Sequence, residues 1–286
     1  MPKFYMLVGL PGSGKSTYSK TIKDAVIISS DALRKELYGS EEELGNPFEE
    51  MIKRTIAALK NEKDVVFDAT NLSTKKRRYI VERIKKYADY KKAIVFATPY
   101  TECLKRNAER ERHVPEEVIR EMYMRFNMPC KQEGFDEVSI HYTDFVPMNE
   151  YEMRKIPHDN SHHRLSIGDH MIAAYAYLRD NYPQYRSDYE LVTATMLHDI
   201  GKPFCKTFVN KRGETSTEAH YYGHESVGAY DVMFYDISEA HVINIALLIQ
   251  NHMCFYIGNP EKVRNFLGDE LYGKLLILHD CDKNAH

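Results

Sequence analysis

Cysteine, basic charge and long apolar runs are all scarce in this sequence, and each scarcity excludes something. The five cysteines (Cys103, Cys130, Cys205, Cys254, Cys281) are scattered and odd in number. No Cys-x-x-Cys occurs, so zinc-ribbon and dithiol redox readings have no support. Reduced thiols in a cytoplasmic setting are the expectation. The apolar stretches read as too short to span a bilayer, so no membrane partner is expected. The N-terminus runs straight into a strand pattern and a glycine-rich loop, so no signal peptide is expected. The net charge is −3, with 39 Lys and Arg against 42 Asp and Glu. Without a global basic excess, any nucleic-acid contact must come from a local patch. No internal repeat or low-complexity tract is visible.

What is present divides unevenly. The 286 residues suffice for one large domain or two ordinary ones, and the 43% of apolar residues supply ample core material. Of 13 histidines, only His113 and His141 precede residue 150. The composition changes near Pro147, after the β-type alternation Val138–Tyr142. Two domains are expected, 1–149 and 150–286.

The first carries Gly9-Leu-Pro-Gly-Ser-Gly-Lys15-Ser16, which fits the Walker A pattern Gly-x4-Gly-Lys-Ser/Thr without mismatch. It follows the apolar run Phe4–Val8 and precedes a helical pattern, the setting this loop requires. Gly9, Gly12 and Gly14 let the backbone curl and turn its N–H groups toward phosphate oxygens. Gly9, Gly12, Ser13, Gly14, Lys15, Ser16 and Thr17 are therefore the expected nucleotide-binding set, for ATP or GTP. Lys15 reaches the β- and γ-phosphates, and Ser16 ligates Mg2+. Strand-like runs recur at Val26–Ile28, Val65–Phe67 and Ala93–Phe96, with helical patterns over Phe48–Leu59 and Thr74–Tyr87. That alternation predicts an α/β domain with a mostly parallel sheet.

Polar residues that end such strands line the ligand crevice. Ser30-Asp31 is expected to end the second strand and Asp68 the third. A kinase needs a base for the acceptor's hydroxyl proton, a role that suits Asp31. Arg34, three residues on, shares its helical face and is placed to hold an acceptor phosphate. Asp68 sits where a Walker B carboxylate is found. Either aspartate could instead cap the helix that follows it. Lys105, Arg106, Arg110 and Arg112 form a basic cluster. Arg106 and Arg110, four apart on one expected helix, could close over the triphosphate. The alternative is a solvated face balanced by Glu102, Glu109 and Glu111.

Gly9–Ser16, then Ser30-Asp31-Ala-Leu-Arg34, Asp68-Ala-Thr-Asn71, Lys105-Arg106-Asn107-x-x-Arg110 and Val114-Pro-x-x-Val118-Ile-x-x-Met122-Tyr, in that order, resemble the kinase domain of phage-type 5′-hydroxyl polynucleotide kinases. The likeness spans roughly residues 3–145. It implies Asp31 as general base, Arg34 on the acceptor's phosphate, Asp68 as a functional carboxylate and Arg110 as a lid residue on ATP. Asp-x-Thr-Asn also occurs in P-loop kinases acting on tRNA-linked serine or small alcohols, so the reaction is better specified than the acceptor.

In the second half His-Asp occurs three times, at His158-Asp159, His198-Asp199 and His279-Asp280. Context separates them. His158-Asp159 lies in a loop-like polar stretch, whereas His198-Asp199 closes the apolar helical run Leu191–Leu197. Imidazole and carboxylate together hold divalent cations. One pair cannot complete a site, and His170 and Asp282 are the natural additions. His170…His198-Asp199…Asp282 resembles the all-helical HD phosphohydrolase superfamily. Asn160-Ser-His-His163, Leu197-His-Asp-Ile-Gly-Lys202-Pro, Tyr222-Gly-His224 and Asn251-His252 look like the HD domain of bacterial CCA-adding enzymes. The resemblance implies an all-α domain. In it His170, His198, Asp199 and Asp282 hold a first metal, and His224 and His252 hold a second metal or the scissile phosphate. His163 and Lys202 would contact substrate phosphate. Imidazole-rich sites suit Mn2+, Fe2+, Ni2+ or Co2+ better than Mg2+. His220, His241 and His279 read as structural, and Asp280 as an ambiguous near-ligand.

Joined, the halves imply an enzyme that heals RNA or DNA ends: a 5′-hydroxyl kinase with a phosphohydrolase for 2′,3′-cyclic, 2′ or 3′ phosphates, upstream of a separate ligase. A nucleoside or small-molecule kinase fused to a nucleotide phosphohydrolase, or a nucleotide sensor, are the alternatives. For a polynucleotide acceptor, Lys75-Lys-Arg-Arg78 supplies either part of a basic groove or a solvated helix face.

Overall fold

Five runs in the first half pair as one sheet: β1 (Lys3–Val8), β2 (Val26–Ser29), β3 (Val65–Asp68), β4 (Tyr90–Ala97) and β5 (Glu137–Tyr142). Their order is β2-β3-β1-β4-β5 and every pairing is parallel. The interior strands are covered on both faces, so they are nearly continuous in apolar residues. Met6, Leu7, Val8, Val65, Val66 and Phe67 are fully buried. The register sets Leu7 beside Asp68 and Ile28 beside Phe67. The Walker loop and the Asp68 loop therefore leave the sheet side by side.

This is a computed structural model that describes residues 2–39, 46–143, 153–161 and 164–285. The expected domain boundary at 149/150 lies outside the described residues, as does His163. The chain falls into two compact units, Met1–Met122 with Pro129–Phe145 and Tyr123–Met128 with Val146–His286.

Among the described residues, the helices of the first unit are α1 (Lys15–Ser19), α2 (Ser30–Tyr38), α3 (Phe48–Lys60), α4 (Thr74–Ile84), α5 (Tyr100–Ala108) and α6 (Glu116–Tyr123), whose last residue, Tyr123, belongs to the second unit. Helix α4 stops short of Tyr87, whose N–H closes a turn on the Ile84 carbonyl (2.8 Å). Within it, Lys75-Lys-Arg-Arg78 is not a uniform basic face. Arg77 is fully buried. Its Nε and Nη2 donate to Glu133 Oε2 and Oε1 (2.7 and 2.6 Å), and Nη1 donates to the Asn71 carbonyl (2.9 Å). Arg77 thus drops out of any groove and props the loop after β3.

The second unit is mainly helical. Its long helices are Ile167–Asn181, Tyr189–Leu197, Glu239–Asn251 and Asp269–Lys283, with His224–Asp231 between the second and third. Ser166 and Asp188 cap the first two by accepting from Asp169 N (3.1 Å) and Leu191 N (3.0 Å). Leu178, Leu191, Val227, Ile245, Leu248 and Leu275 form the core. The all-α expectation needs correction. Thr207–Val209 and Thr215–His220 pair as an antiparallel hairpin. β-Branched residues favour the extended state there, and Gly213 supplies the positive φ of the turn. Glu239–Ile257 is long and apolar enough, by length and composition alone, to cross a membrane. Val242 and Ile245–Ile249 are nonetheless buried in this unit's core.

Two stability outcomes follow. Arg77→Ala strands the Glu133 carboxylate and should cost about 3–5 kcal/mol in urea unfolding. The double change Arg77→Met, Glu133→Leu should recover most of it; a single change costing under about 1 kcal/mol would show that the pair does not hold this part of the core. In the second unit, burial pushes the Asp231 carboxyl up to about 7 against a hydrogen bond from Tyr123. Its stabilisation is full below the unfolded value near 4 and is lost as pH rises through about 7. Asp231→Asn should therefore gain stability over wild type progressively from pH 5 to 7.5. A constant difference across that range would refute the assignment.

Candidate active sites

The Walker loop is held open by glycine geometry and anchored from two sides. Gly12 and Gly14 have φ of +80° and +91°. A Cβ at Gly12 would collide with the Cys103 carbonyl oxygen. Gly9 N donates to Thr70 O (3.1 Å) and Thr98 Oγ1 to Ser13 O (3.1 Å), tying the loop to the ends of β3 and β4. Lys15 is buried, and its ammonium donates to Gly9 O (3.0 Å), Leu10 O (2.6 Å) and Ser13 Oγ (3.1 Å). Burial lowers it to about 8, with Asp68 working the other way. Ser16 and Thr17 face solvent.

Asp68 ends β3 and is buried; burial raises its carboxyl, opposed by a hydrogen bond from Ser16 and by Lys15. Neither aspartate is a helix cap: Ser29 caps α2, and Ser73 stands at the cap of α4. β2 stops at Ser29, so Asp31 lies in the first turn of α2 rather than at a strand end. There Asp31 Oδ1 accepts from Arg34 Nη1 (3.0 Å) and from Arg112 Nη1 (2.8 Å). Asn71, at φ +48°, donates to Leu7 O (2.7 Å) and stitches the β3 loop to β1.

The expectation that Arg106 and Arg110 share a helix fails. α5 ends at Ala108, because Arg110 N–H bonds Asn107 O (3.3 Å) in a closing turn. Arg106 Nε donates to Glu102 (2.8 Å), and Nη1 lies 4.0 Å from where a Gly14 Cβ would stand. Arg110 is exposed, and its charge acts on both Lys15 and Asp68.

In the second unit, one carboxylate gathers the site. Asp199, at the end of helix Tyr189–Leu197, is 1% exposed. Its Oδ2 lies 3.4 Å from His198 Nε2, 3.6 Å from His170 Nε2 and 2.6 Å from Lys202 Nζ. Its Oδ1 lies 3.4 Å from His224 Nε2 and 3.7 Å from His252 Nε2. Asp282 Oδ1 completes the first side, 2.9 Å from His170 Nε2 and 3.4 Å from His198 Nε2. Among the described residues, His170, His198 and Asp282 form one potential cation group, and Asp199, His224 and His252 another. The close packing is possible because residue 201 is glycine: a Cβ there would lie 2.6 Å from Gly228 N.

The donor set fits divalent cations by a test internal to the structure. Each imidazole pairs Nδ1 with a backbone carbonyl: His170 with Ala285 (3.1 Å), His198 with Thr195 (2.9 Å), His224 with Tyr221 (2.7 Å), His252 with Ile249 (2.6 Å). A neutral ring that donates from Nδ1 has a lone pair on Nε2, and all four Nε2 atoms converge, His198 offering its own once its proton is displaced. Burial, with neighbouring His252, lowers His224 to about 3; burial, with His198, lowers His252 to about 4. Burial also opposes charge on His198, but Asp199 and Asp282 raise it to about 10. Burial likewise opposes charge on Asp199, yet Lys202 and His198 hold it well below the usual carboxylate range.

An AAA-domain family profile matches residues 4–129. The chain is similar to the L-seryl-tRNA(Sec) kinase of Methanococcus maripaludis, 31% identical over 183 residues, or 58% of this chain and 69% of that one. The chain belongs to this P-loop kinase family. Membership implies a nucleoside triphosphate and Mg2+ for the first unit. Among solved structures it is similar to a chain of the Pnkp1/Rnl/Hen1 complex (34% identity, TM-score 0.34), and it spans only 40% of that chain. It is also similar to a fungal RNA kinase (17% identity, TM-score 0.37), covering 68% of this chain and 49% of that one.

Sequence reasoning missed two polar neighbours of these sites. Arg112 was one of four cluster cations, and nothing in its spacing pointed at Asp31. His158 read as a loop residue, yet it is 1% exposed and its Nε2 lies 3.2 Å from Lys202 Nζ. His279 stacks on Phe255, His241 bonds Glu190, and Asp280 accepts from Tyr182, so none of these joins the cluster.

A cation entering between Asp199 and Asp282 must displace the proton those carboxylates favour on His198. Titrating Mn2+ at pH 7 should therefore release protons, read calorimetrically in buffers of different ionisation enthalpy. Asp199→Ala should abolish binding, whereas His224→Ala should leave about one ion fewer than wild type by atomic emission. Unchanged stoichiometry in both variants would refute the two-group reading.

Proposed function

We propose that this chain heals nucleic-acid ends, phosphorylating a 5′-hydroxyl with one unit and removing 2′,3′-cyclic, 2′ or 3′ phosphates with the other. The observation that carries the reading is the convergence of four imidazole Nε2 atoms on Asp199 and Asp282 in a chain that also holds Lys15, Asp31 and Arg34 around a Walker loop. A 5′ kinase alone would explain none of the second set.

In the first unit, Lys15 meets the β- and γ-phosphates, and Arg106 and Arg110 offset the charge that builds on the transferred phosphoryl group. Asp31 takes the proton from the attacking hydroxyl. Arg34, already bonded to Asp31, turns its remaining donors to a phosphate next to that hydroxyl. Mg2+ at Ser16, near Asp68, would neutralise phosphate charge.

In the second unit the resemblance to HD phosphohydrolases supports a hydrolytic reading. His170, His198 and Asp282 would hold one ion, His224 and His252 another, and Asp199 would serve both. Such ions polarise phosphate and lower the pKa of water. Lys202, held by Asp199 and His158, presents its ammonium to a phosphate oxygen, and His163 belongs to the same proposed phosphate contact. The name of the M. maripaludis relative keeps a second acceptor in view, the serine hydroxyl of an aminoacyl-tRNA. A nucleoside or other small alcohol is the third.

Acceptor size separates these. Losing the charge-assisted contact to Arg34 should cost about 1.5–3 kcal/mol, or roughly 10- to 150-fold. A nucleoside 3′-monophosphate should therefore exceed the bare nucleoside as acceptor by that factor, and equal rates would favour the small-alcohol reading. Asp31→Ala should abolish kinase activity in Mg2+ and spare hydrolysis in Mn2+. His198→Ala should do the reverse. Loss of both reactions in either variant, with the fold intact by circular dichroism, would argue against two independent sites.

A further inference from the structure

Tyrosine ordinarily buries its ring and leaves its hydroxyl in water. Tyr256 does the opposite. It lies in the short helix Cys254–Ile257, which follows the cluster residue His252. Its hydroxyl turns inward and donates to Asp282 Oδ2 at 3.2 Å, while Asp282 Oδ1 faces His170 and His198. The residue as a whole is 49% exposed, so part of its ring is open to solvent at the edge of the cluster. The ring is also fixed in place. His279, one turn before Asp282 on helix Asp269–Lys283, packs edge-on against it at 4.9 Å and stacks on Phe255 at 4.5 Å. Ile257 beside it is 71% exposed.

A rigid aromatic face, presented to water and pinned through its polar end to the carboxylate of a phosphate-processing centre, is an arrangement for stacking. A flat π-system that arrives attached to a phosphate is a nucleobase. A phosphate at the Asp282 side of the cluster would carry its ribose and base outward past this ring. We infer that Tyr256 is the stacking platform for the base of the terminal nucleotide, and that it makes the second unit selective for nucleotide phosphates over base-free phosphate esters. This rests on the phosphohydrolase reading above and names its substrate class.

The test compares two esters that share sugar and phosphate: adenosine 3′-monophosphate and methyl ribofuranoside 3-phosphate, both hydrolysed by the full chain in Mn2+. Stacking on an aromatic side chain contributes enough that its removal should raise KM roughly 5- to 150-fold. Tyr256→Ala should produce that rise for the adenosine ester relative to Tyr256→Phe, which also lacks the hydroxyl bond to Asp282, while the base-free ester should respond equally to the two variants. Tyr256→Phe keeps the ring and should preserve the preference. The chain has no tryptophan, so Tyr256→Trp adds a sole indole as a reporter that does not depend on turnover. Its emission should be quenched by adenosine 3′-monophosphate and not by the base-free ester. If Tyr256→Phe and Tyr256→Ala depress both esters equally, Tyr256 serves only the carboxylate and the proposal is overturned. Equal indole response to both ligands overturns it as well. If wild type hydrolyses neither ester, the phosphohydrolase reading falls and takes this inference with it.

Discussion

A carboxylate buried as deeply as Asp199 is tenable only if its charge is answered on every side. Lys202 answers one oxygen at 2.6 Å, and imidazoles crowd both oxygens. The surrounding fold can be understood as what this requires. The helix Tyr189–Leu197 ends where Asp199 must point inward. Gly201 lets the next turn press against His224 and Gly228 closer than any side chain would permit. Helices Ile167–Asn181 and Asp269–Lys283 then deliver His170 and Asp282, and Glu239–Asn251 ends just before His252. Cationic charge is the natural complement of such a pocket, whether as a proton on His198 or as a metal ion.

The first unit solves a different problem with the same economy. A phosphate-binding loop needs N–H groups aimed into open space, so its carbonyls must be restrained from outside. Thr98 and the Lys15 ammonium supply those restraints, and the Thr70 carbonyl anchors the loop by accepting from Gly9 N–H. Asn71 and the buried Arg77–Glu133 pair extend the same scaffold beneath the Asp68 loop. At the start of α2 one carboxylate oxygen, Asp31 Oδ1, is gripped by two guanidinium groups. One of these, Arg112, arrives from 81 residues away.

Much of this was legible in sequence. The strands of the first unit are apolar runs because parallel strands buried on both faces must be. The Walker loop is legible because glycines at fixed spacing leave few alternatives. His198-Asp199 stood out from two other His-Asp pairs by the apolar helix before it. Errors arose where distant packing decides. Arg77 reads as one more surface cation in a basic run, and only Glu133 reveals it as core. Arg106 and Arg110 have helical spacing, yet the helix closes between them.

By itself, the sequence determined the local chemistry: a loop that must curl, strands that must be buried, a lysine inside that loop, and an excess of imidazoles beyond residue 150. Those follow from backbone freedom, side-chain periodicity and residue type, all of which are local. Tertiary structure alone decided which polar groups face one another. It buried the loop residue His158 against Lys202, gave Asp199 two distinct sides, and set the hydroxyl of Tyr256 on Asp282. Such pairings depend on helices meeting within a few ångströms, and spacing along the chain does not encode that distance.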